Sequence, residues 1–491
     1  MRYSHCASRY LQERHTIVAQ LIRSSADDLD FALSASVVVV GAGGCGLSAA
    51  LAVRDAGAEV LVLERDPRVA GTTAMSTGLI PASGTAEQAA RGIADSPEQF
   101  RDDIMLKTKG RTDLDIALRL ARESDETVAW LRDTHGVPLT LIDDFLYPGH
   151  SAMRMYGTPN RTGSELMAGL GAACVAASAD ILTDACVDTL IVDAEDRVLG
   201  IEYVRPDGLR ERLGCDQLIL ACCGFGGNWD MVIDYIPELK DAVFHGHPGN
   251  KGDAMAWGRE LGAALADMHA YQGHGGLAAG HAIPILWPFI MEGGFQVNAP
   301  GLRFSDEARG YSEQAVKVLA QPGHVAWSIL DQRLHDLMMK FDDFQQAARA
   351  GAVLKADDVA GLAGRIGVPV AALQSTFAEV NRIKSGDQAD PFGRDFHGKP
   401  PLVAPFYAAK VTGALFHTQG GLAVDRDARV LRADGTPLPN LFAGGGAARG
   451  ISGAGADGYL AGNGLLTATT FGKLAGRAAA RQIMSAKRGG A

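Results

Sequence analysis

The segment Gly41-Ala42-Gly43-Gly44-Cys45-Gly46 has glycine at its first, third and sixth positions, and an acid, Glu64, follows 18 residues beyond Gly46. This spacing suits the binding of a nucleoside diphosphate. Gly41 permits a tight turn, Gly43 lets backbone approach the pyrophosphate, and Gly46 lets a helix and a strand pack closely. Glu64 can accept hydrogen bonds from both ribose hydroxyls. The chemistry requires flanking elements, and the sequence supplies them. Residues 37–40 are apolar and β-branched, as in a buried parallel strand, and residues 47–56 read as a helix closed by Gly57. Residues 60–63 read as a second strand delivering Glu64. The helix would turn the free N–H groups of its first turn toward the phosphates.

Two further glycine-rich segments suit a flat ring system lying against backbone. The first is Gly71-Thr72-Thr73-Ala74-Met75-Ser76-Thr77-Gly78. The second begins with the strand-like Asn440-Leu441-Phe442-Ala443, runs into Gly444-Gly445-Gly446 and reaches Gly462-Asn463-Gly464 before a helical stretch, 465–480. The start of that helix would bring positive dipole to a ring that gains negative charge on reduction, such as an isoalloxazine.

The whole composition narrows the partners. Acids outnumber bases 57 to 46, for a net charge of −11, which argues against a general nucleic-acid or anionic-membrane binder. The 7 cysteines (6, 45, 174, 186, 215, 222 and 223) form no C-x-x-C pair, which excludes a disulfide scaffold, a zinc knuckle and an attached haem. Reduced thiols predict a cytoplasmic protein. No apolar run reaches the roughly 20 residues of a membrane-spanning helix, and residues 1–34 lack the pattern of a signal peptide. Residues 10–22 have the pattern of an amphipathic helix. Residues 185–204 read as strand, turn and strand, 217–221 as a further strand, and 325–340 and 357–366 as helices. Cys222 and Cys223 read as small packing residues. Cys45, at a helix start, has either a lowered pKa or a structural place in the phosphate turn.

On these motifs the sequence resembles the fumarate reductase and succinate dehydrogenase flavoprotein superfamily, which includes the 3-ketosteroid dehydrogenases. The likeness spans about residues 36–485. It implies an α/β, Rossmann-like FAD-binding domain with a discontinuous chain, 36–267 and 405–491, and an inserted α+β capping domain, 268–404, after an N-terminal extension, 1–35. It implies FAD contacts from Gly41, Gly43, Gly44, Gly46, Glu64, Arg65, Thr72, Thr73, Ser76, Gly78, Val187, Ala221, Gly224, Asp253, Gly445, Gly446, Gly462, Asn463, Leu465 and Leu466. The histidine that carries covalent FAD in succinate dehydrogenases is not matched near Thr72-Thr73, so noncovalent FAD is expected. No metal ligand set and no haem or iron–sulfur cysteine series is present, so a separate electron donor or acceptor is expected.

The same resemblance singles out residues for catalysis. His274 falls on a stretch in which fumarate reductases bind a substrate carboxylate, and His417, in His417-Thr418-Gln419-Gly420-Gly421, matches a second such histidine. Arg303-Phe304 with Asp306-Glu307 matches an R-F-x-N/D-E motif. Seven residues after Phe304, where the resemblance implies a proton-donating arginine in fumarate reductases, stands Tyr311, as in ketosteroid dehydrogenases. The second fumarate-binding arginine likewise falls on Tyr459. A dicarboxylate would lose its bidentate clamps, unless Arg309 or Arg449 replaced them. A glutamate of the family appears here as Gly446. Tyr147, His150, Arg154 and Tyr156 form a polar-aromatic cluster in a candidate substrate-access loop.

The sequence therefore predicts an FAD-dependent oxidoreductase acting on CH–CH groups. It would form or reduce a C=C bond beside the carbonyl of a small cyclic ketone or steroid-like enone. Its active site would combine Tyr311, Tyr459, His417, His274 and Arg309. Action on an unsaturated carboxylate, or flavin binding without turnover, are the alternatives.

Overall fold

The computed structural model describes residues 19–489. Strand Ser34–Val40 lies inside a nine-stranded sheet, with Val37, Val38 and Val39 wholly buried. Each valine so buried stabilises the fold by about 1.5–3 kcal/mol, which explains the uninterrupted apolar run. The strand pairs in parallel with Val60–Leu63 and with Arg210–Leu220. Asp180–Leu182 continues the sheet in parallel beyond Val60–Leu63, and Pro437–Ala443 pairs in parallel with the end of Arg210–Leu220. Cys186–Val192 and Val198–Val204 form the expected strand, turn and strand, and both of their pairings are antiparallel where short turns connect them. The fold is Rossmann-like, and the sheet is mixed rather than parallel throughout.

Helix Gly44–Asp55 follows Ser34–Val40 and packs against the long C-terminal helix Asn463–Gly489. Glycines on the second helix set their distance. A Cβ on Gly472 would lie 2.3 Å from the Cys45 carbonyl oxygen, and one on Gly476 would lie 2.3 Å from that of Ala49. Only bare backbone allows this approach. It places the first turn of the C-terminal helix beside the glycine loop, although the two are some four hundred residues apart in sequence.

A second, six-stranded sheet is built around Phe406–Thr418, which pairs with Val243–Phe244, Tyr271–Ala278, Val325–Asp331 and Val353–Ala356. The expected return to the first domain near residue 405 thus precedes a strand whose hydrogen bonds lie in the second sheet. Helix Tyr311–Leu319 lies on Tyr271–Ala278 at the place where Gly273 offers no side chain. A Cβ there would meet the Ser312 carbonyl oxygen at 2.7 Å, and the Gly273 N–H instead donates to Ser312 Oγ at 2.9 Å.

Two expected helices are corrected. In 325–340 only Gln332–Met338 is helical, because Val325–Asp331 is a strand carrying Trp327 and Ile329 into the second sheet. Of the helix expected at 10–22, residues 10–18 lie outside the described residues, and Gln20–Arg23 is a strand. It pairs in parallel with Cys186–Val192, where an open sheet edge offers unpaired backbone groups that an amphipathic helix could not satisfy.

Candidate functional site

The first cavity runs along the glycine loop. Gly41, Gly43, Gly44, Glu64, Arg65, Thr72, Thr73, Val187, Ala221, Asp253, Gly445 and Gly446 line it. The loop has no spare room. Gly41 adopts φ +102°, and a Cβ there would lie 2.7 Å from the Ala221 carbonyl oxygen. A Cβ on Gly46 would lie 1.8 Å from the Gly41 carbonyl oxygen, so helix and strand meet backbone to backbone. Glu64 is buried and is held by N–H donors from Ala42 at 2.8 Å and Asp66 at 3.0 Å, with lone pairs left for further donors. Arg65 donates to the Gly249 carbonyl at 2.5 Å and pairs with Asp253 at 3.3 Å, closing the far end. A glycine cradle, an acid at the strand end and an elongated cavity together fit an adenine dinucleotide such as FAD.

That cavity adjoins a second one, and Thr72, Thr73, Cys223, Gly446 and Ala468 line both. Gly446 marks the junction. A Cβ there would lie 2.8 Å from Gly224 N and 3.1 Å from Cys223 Sγ, so the junction has no space for a side chain. Ser76, Gly462 and Leu465 line the second cavity. Gly78, Gly224, Asn463 and Leu466 line neither cavity, and the side-chain amide of Asn463 is buried without a hydrogen-bond partner among the described residues. Gly224 is closed off by Thr418 Oγ1, which would lie 2.1 Å from a Cβ, and Leu466 is wholly buried in the core.

His274, Tyr311, His417 and Tyr459 meet in the second cavity. Neighbouring strands supply the histidines: His274 lies on Tyr271–Ala278 and His417 on Phe406–Thr418, with Gln272 opposite His417. Tyr311 opens its helix directly after Gly310, at φ +155°, and a buried ion-pair cluster sets that turn. Glu307 pairs with Arg303 at 3.0 Å and with Arg394 at 2.9 Å, and Arg303 also pairs with Asp390. The R-F-x-D-E motif thus anchors the turn that presents Tyr311. The Tyr311 ring stacks on His274 at 5.2 Å between centroids and lies 6.1 Å from Tyr459, which is 5.6 Å from His417. A Cβ on Gly464 would lie 2.8 Å from His417 Nε2 and 3.6 Å from Tyr459 Oη, so these polar atoms converge on the bare start of the C-terminal helix.

Burial dominates the electrostatics. It lowers the His274 pKa to about 3 and that of His417 to about 4, so both are neutral near pH 7. Gln419 Nε2 donates to His417 Nδ1 at 2.9 Å, and Gly276 N donates to His274 Nδ1 at 3.0 Å. His274 therefore carries its proton on Nε2, and at His417 the Gln419 contact, shorter than the 3.4 Å from Nδ1 to the Thr418 carbonyl, favours the same tautomer. Burial, reinforced by Tyr459 and Tyr147, pushes the Tyr311 phenol well above its ordinary 10. Tyr459 is raised by burial against N–H groups at Gly464 and Gly462 that pull the other way. Two neutral phenols and two neutral imidazoles, all able to donate, suit a polarised carbonyl.

Several expectations fail at this level. Arg309 is exposed and does not line the cavity, because its short turn is held by Lys107 Nζ donating to its carbonyl at 2.9 Å. Arg449 is committed to Asp267 at 2.7 Å and Asp113 at 3.3 Å. Among the described residues no arginine or lysine lines the second cavity. The thiol of Cys45 is raised by burial rather than lowered by its helix, which overturns the reactive reading. Of the four residues singled out in the candidate access loop, only Tyr147 lines the cavity. Arg154 is buried against Asp95 at 2.8 Å and Asp103 at 2.6 Å, His150 Nε2 bonds the Ala461 carbonyl at 3.0 Å, and Tyr156 Oη bonds Thr85 at 2.7 Å. Sequence reasoning missed Trp287, His245, Phe341 and Asp343, which come from segments without a local motif, and Gln272 and Gln419, which flank the singled-out histidines. It treated Cys223 as packing, although its φ of +66° in a glycine-rich turn sets it at the junction of both cavities.

Residues 36–465 match the sequence model of the FAD binding domain family. The cytochrome-type fumarate reductase of Shewanella frigidimarina is 31% identical over 458 residues, covering 91% of this chain and 77% of that protein. An open flavocytochrome c3 fumarate reductase structure superposes with a TM-score of 0.77 at 29% identity, covering 92% of this chain and 79% of the other. The 3-ketosteroid-Δ4-(5α)-dehydrogenase from Rhodococcus jostii RHA1, in complex with 4-androstene-3,17-dione, superposes with a TM-score of 0.75 at 26% identity, covering 94% and 99%.

Proposed function

Because the chain belongs to the FAD binding domain family, and is an FAD-dependent oxidoreductase of the fumarate reductase type acting on C=C bonds, we propose that it reduces a C=C bond conjugated to a cyclic ketone. The observation carrying this reading is a cavity that gathers Tyr311, Tyr459, His274 and His417 with no arginine or lysine among its described lining residues. A dicarboxylate would enter such a site without a counter-charge, whereas a neutral enone needs only hydrogen-bond donors.

When bound, FAD supplies two-electron hydride chemistry at the β carbon. The Tyr459 hydroxyl, its oxygen held by the Gly462 and Gly464 N–H groups, donates with His417 Nε2–H to the carbonyl oxygen and draws electron density toward it. Tyr311 transfers its proton to the α carbon. Its raised pKa keeps Tyr311 a neutral phenol near pH 7, so at rest it holds a proton to give and is not a base, and the phenolate left after transfer regains its proton from solvent. Trp287, Phe416 and Tyr147 exclude water from the same space. A separate carrier supplies the electrons, and the free cysteines among the described residues, Cys45, Cys174, Cys186, Cys215, Cys222 and Cys223, suit a reducing cytoplasm.

The test is a half-reaction. The holoenzyme is reduced anaerobically and mixed with cyclic enones or with fumarate-like acids. Rapid reoxidation by enones alone is expected. Reoxidation by acids alone would replace the ketone reading with the carboxylate one, and indifference to both would make the protein a flavin binder without turnover.

A further inference from the structure

Both cavity tyrosines are gripped from outside the cavity, by the end of helix Pro97–Lys107 and the turn that follows it. Tyr311 opens its helix after Gly310, a cap position without a side chain. Lys107 supplies the missing restraint. Its Nζ donates to the Arg309 carbonyl at 2.9 Å and pairs with Glu313 at 2.5 Å, so it holds the chain on both sides of Tyr311. A Cβ on Gly310 would lie 3.1 Å from that same Nζ, so the grip closes directly over the backbone between. The two side chains are 11% and 20% exposed, and solvent and salt screen an ion pair less at such a place.

The same turn holds the second tyrosine. Lys109 Nζ and Arg111 Nη2 each take one oxygen of Asp457, at 2.5 and 2.7 Å. Asp457 lies in the short turn Ala456–Gly458, which leads directly into Tyr459. Backbone joins this contact, since a Cβ on Gly453 would lie 3.1 Å from the Arg111 carbonyl oxygen. Residues 452–458 include three glycines, so that stretch has little stiffness of its own. The turn that grips it is well fastened. Arg111 Nε donates to the Thr108 carbonyl at 3.2 Å, and Thr108 Oγ1 to that of Ile104 at 2.8 Å. Lys107, Lys109 and Arg111 do not line the cavity, so they act through the tyrosines and not on the substrate.

We propose that Lys107 and Asp457 are positioning residues, and that residues 107–111 set the placement of the two tyrosines relative to each other. This rests on the roles given to Tyr311 and Tyr459 above and adds a division between them. Lys107 governs proton transfer through Tyr311, and Asp457 governs substrate binding through Tyr459. The rings lie 6.1 Å apart between centroids. A displacement of about 1 Å at such a site can cost about 10²-fold in rate.

The experiment is a double-mutant cycle on FAD-loaded protein. Enone Kd is read from flavin absorbance of the oxidised form, and the rate from reoxidation of the reduced form at saturating enone. Lys107→Met is expected to slow reoxidation by about 10-fold or more while keeping Kd within about 2-fold of wild type. Lys107→Arg, which can serve the same carbonyl and carboxylate, should restore the rate to within about 3-fold. In a Tyr311→Phe background Lys107→Met should cost less than about 2-fold, because the group it places is gone. Asp457→Ala should show the opposite split, with Kd raised about 3-fold or more and the saturated rate nearly unchanged. If Lys107→Met does not retain FAD, Glu313→Gln should slow reoxidation by about 3-fold with the same dependence on Tyr311. Unchanged rates in these variants, or a loss that persists in full beside Tyr311→Phe, would overturn the assignment. Wild type reoxidised by fumarate-like acids alone would remove the ketone reading. The cycle run with that acid would then uphold Lys107 if its effect vanished with Tyr311→Phe, and overturn it otherwise. Wild type indifferent to both acceptors would remove both.

Discussion

At the residue scale the chemistry turns on which groups hold a proton near neutrality. Before the fold is known, Tyr311 as a base needs a cation beside it, and Arg309 and protonated His417 are the candidates. Arg309 faces outward, and burial keeps His417 neutral, so neither can stabilise a phenolate. A donating Tyr311 needs no such help. Tyr311→Phe should keep its FAD and its fold while reoxidation of the reduced enzyme by an enone slows by about 10²-fold or more, as measured by stopped-flow absorbance. Tyr459→Phe should chiefly raise the enone Kd. The pH dependence follows from the same shifts. His274, near 3, and His417, near 4, are already deprotonated above pH 5, and Tyr311 stays protonated until well above 10. The rate at saturating enone should therefore show no inflection from these groups between pH 5.5 and 9, and should be lost only as rising pH ionises the phenol. An ionisation near 6.5 that disappears in His417→Gln would contradict this.

Among the elements, the loop between Thr140–Ile142 and Met155–Gly157 changes its meaning most. Its polar-aromatic residues have the composition of a gate, and in the fold they make a fastening. Arg154 satisfies both Asp95 and Asp103 out of contact with water, and His150 ties the loop to the carbonyl of Ala461, beside the turn that presents Tyr459 and Gly464. Removing the guanidinium would leave two carboxylates facing each other in the interior. Arg154→Leu should lower stability by about 3–5 kcal/mol in urea unfolding. An effect below about 1 kcal/mol would mean that water reaches the pair and that the loop is looser than its packing indicates.

At the scale of the molecule, two sheets meet along the joined cavities, the first supplying the glycine cradle and the second both histidines and the Tyr311 helix. The charge pattern of the whole follows the same plan. Arginines lie on the outer surface or inside ion-pair clusters, and none lines the substrate space among the described residues. Arg309→Ala should therefore leave enone turnover within about 2-fold of wild type, as expected for a surface substitution away from the site. A 10²-fold loss measured in the same assay would restore the carboxylate reading and require the turn at Arg309 to fold inward when substrate binds.

Local pattern was enough to place the dinucleotide unit. Ser34–Val40, the glycine loop, Gly44–Asp55 and Val60–Leu63 are contiguous, and each is specified by its own steric and apolar requirements. His274, Tyr311, His417 and Tyr459 were legible only through a family likeness, since a lone histidine or tyrosine carries no local signal of its surroundings. Val325–Asp331 read as helix because a buried strand and a buried helix segment share an apolar run, and pairing with Phe406–Thr418 decides between them. The same dependence on distant neighbours governs the charges. Whether Arg309 enters the cavity or Cys45 ionises depends on groups far away in the chain, and the desolvation and pairing that set those states arise only once the two sheets are packed together.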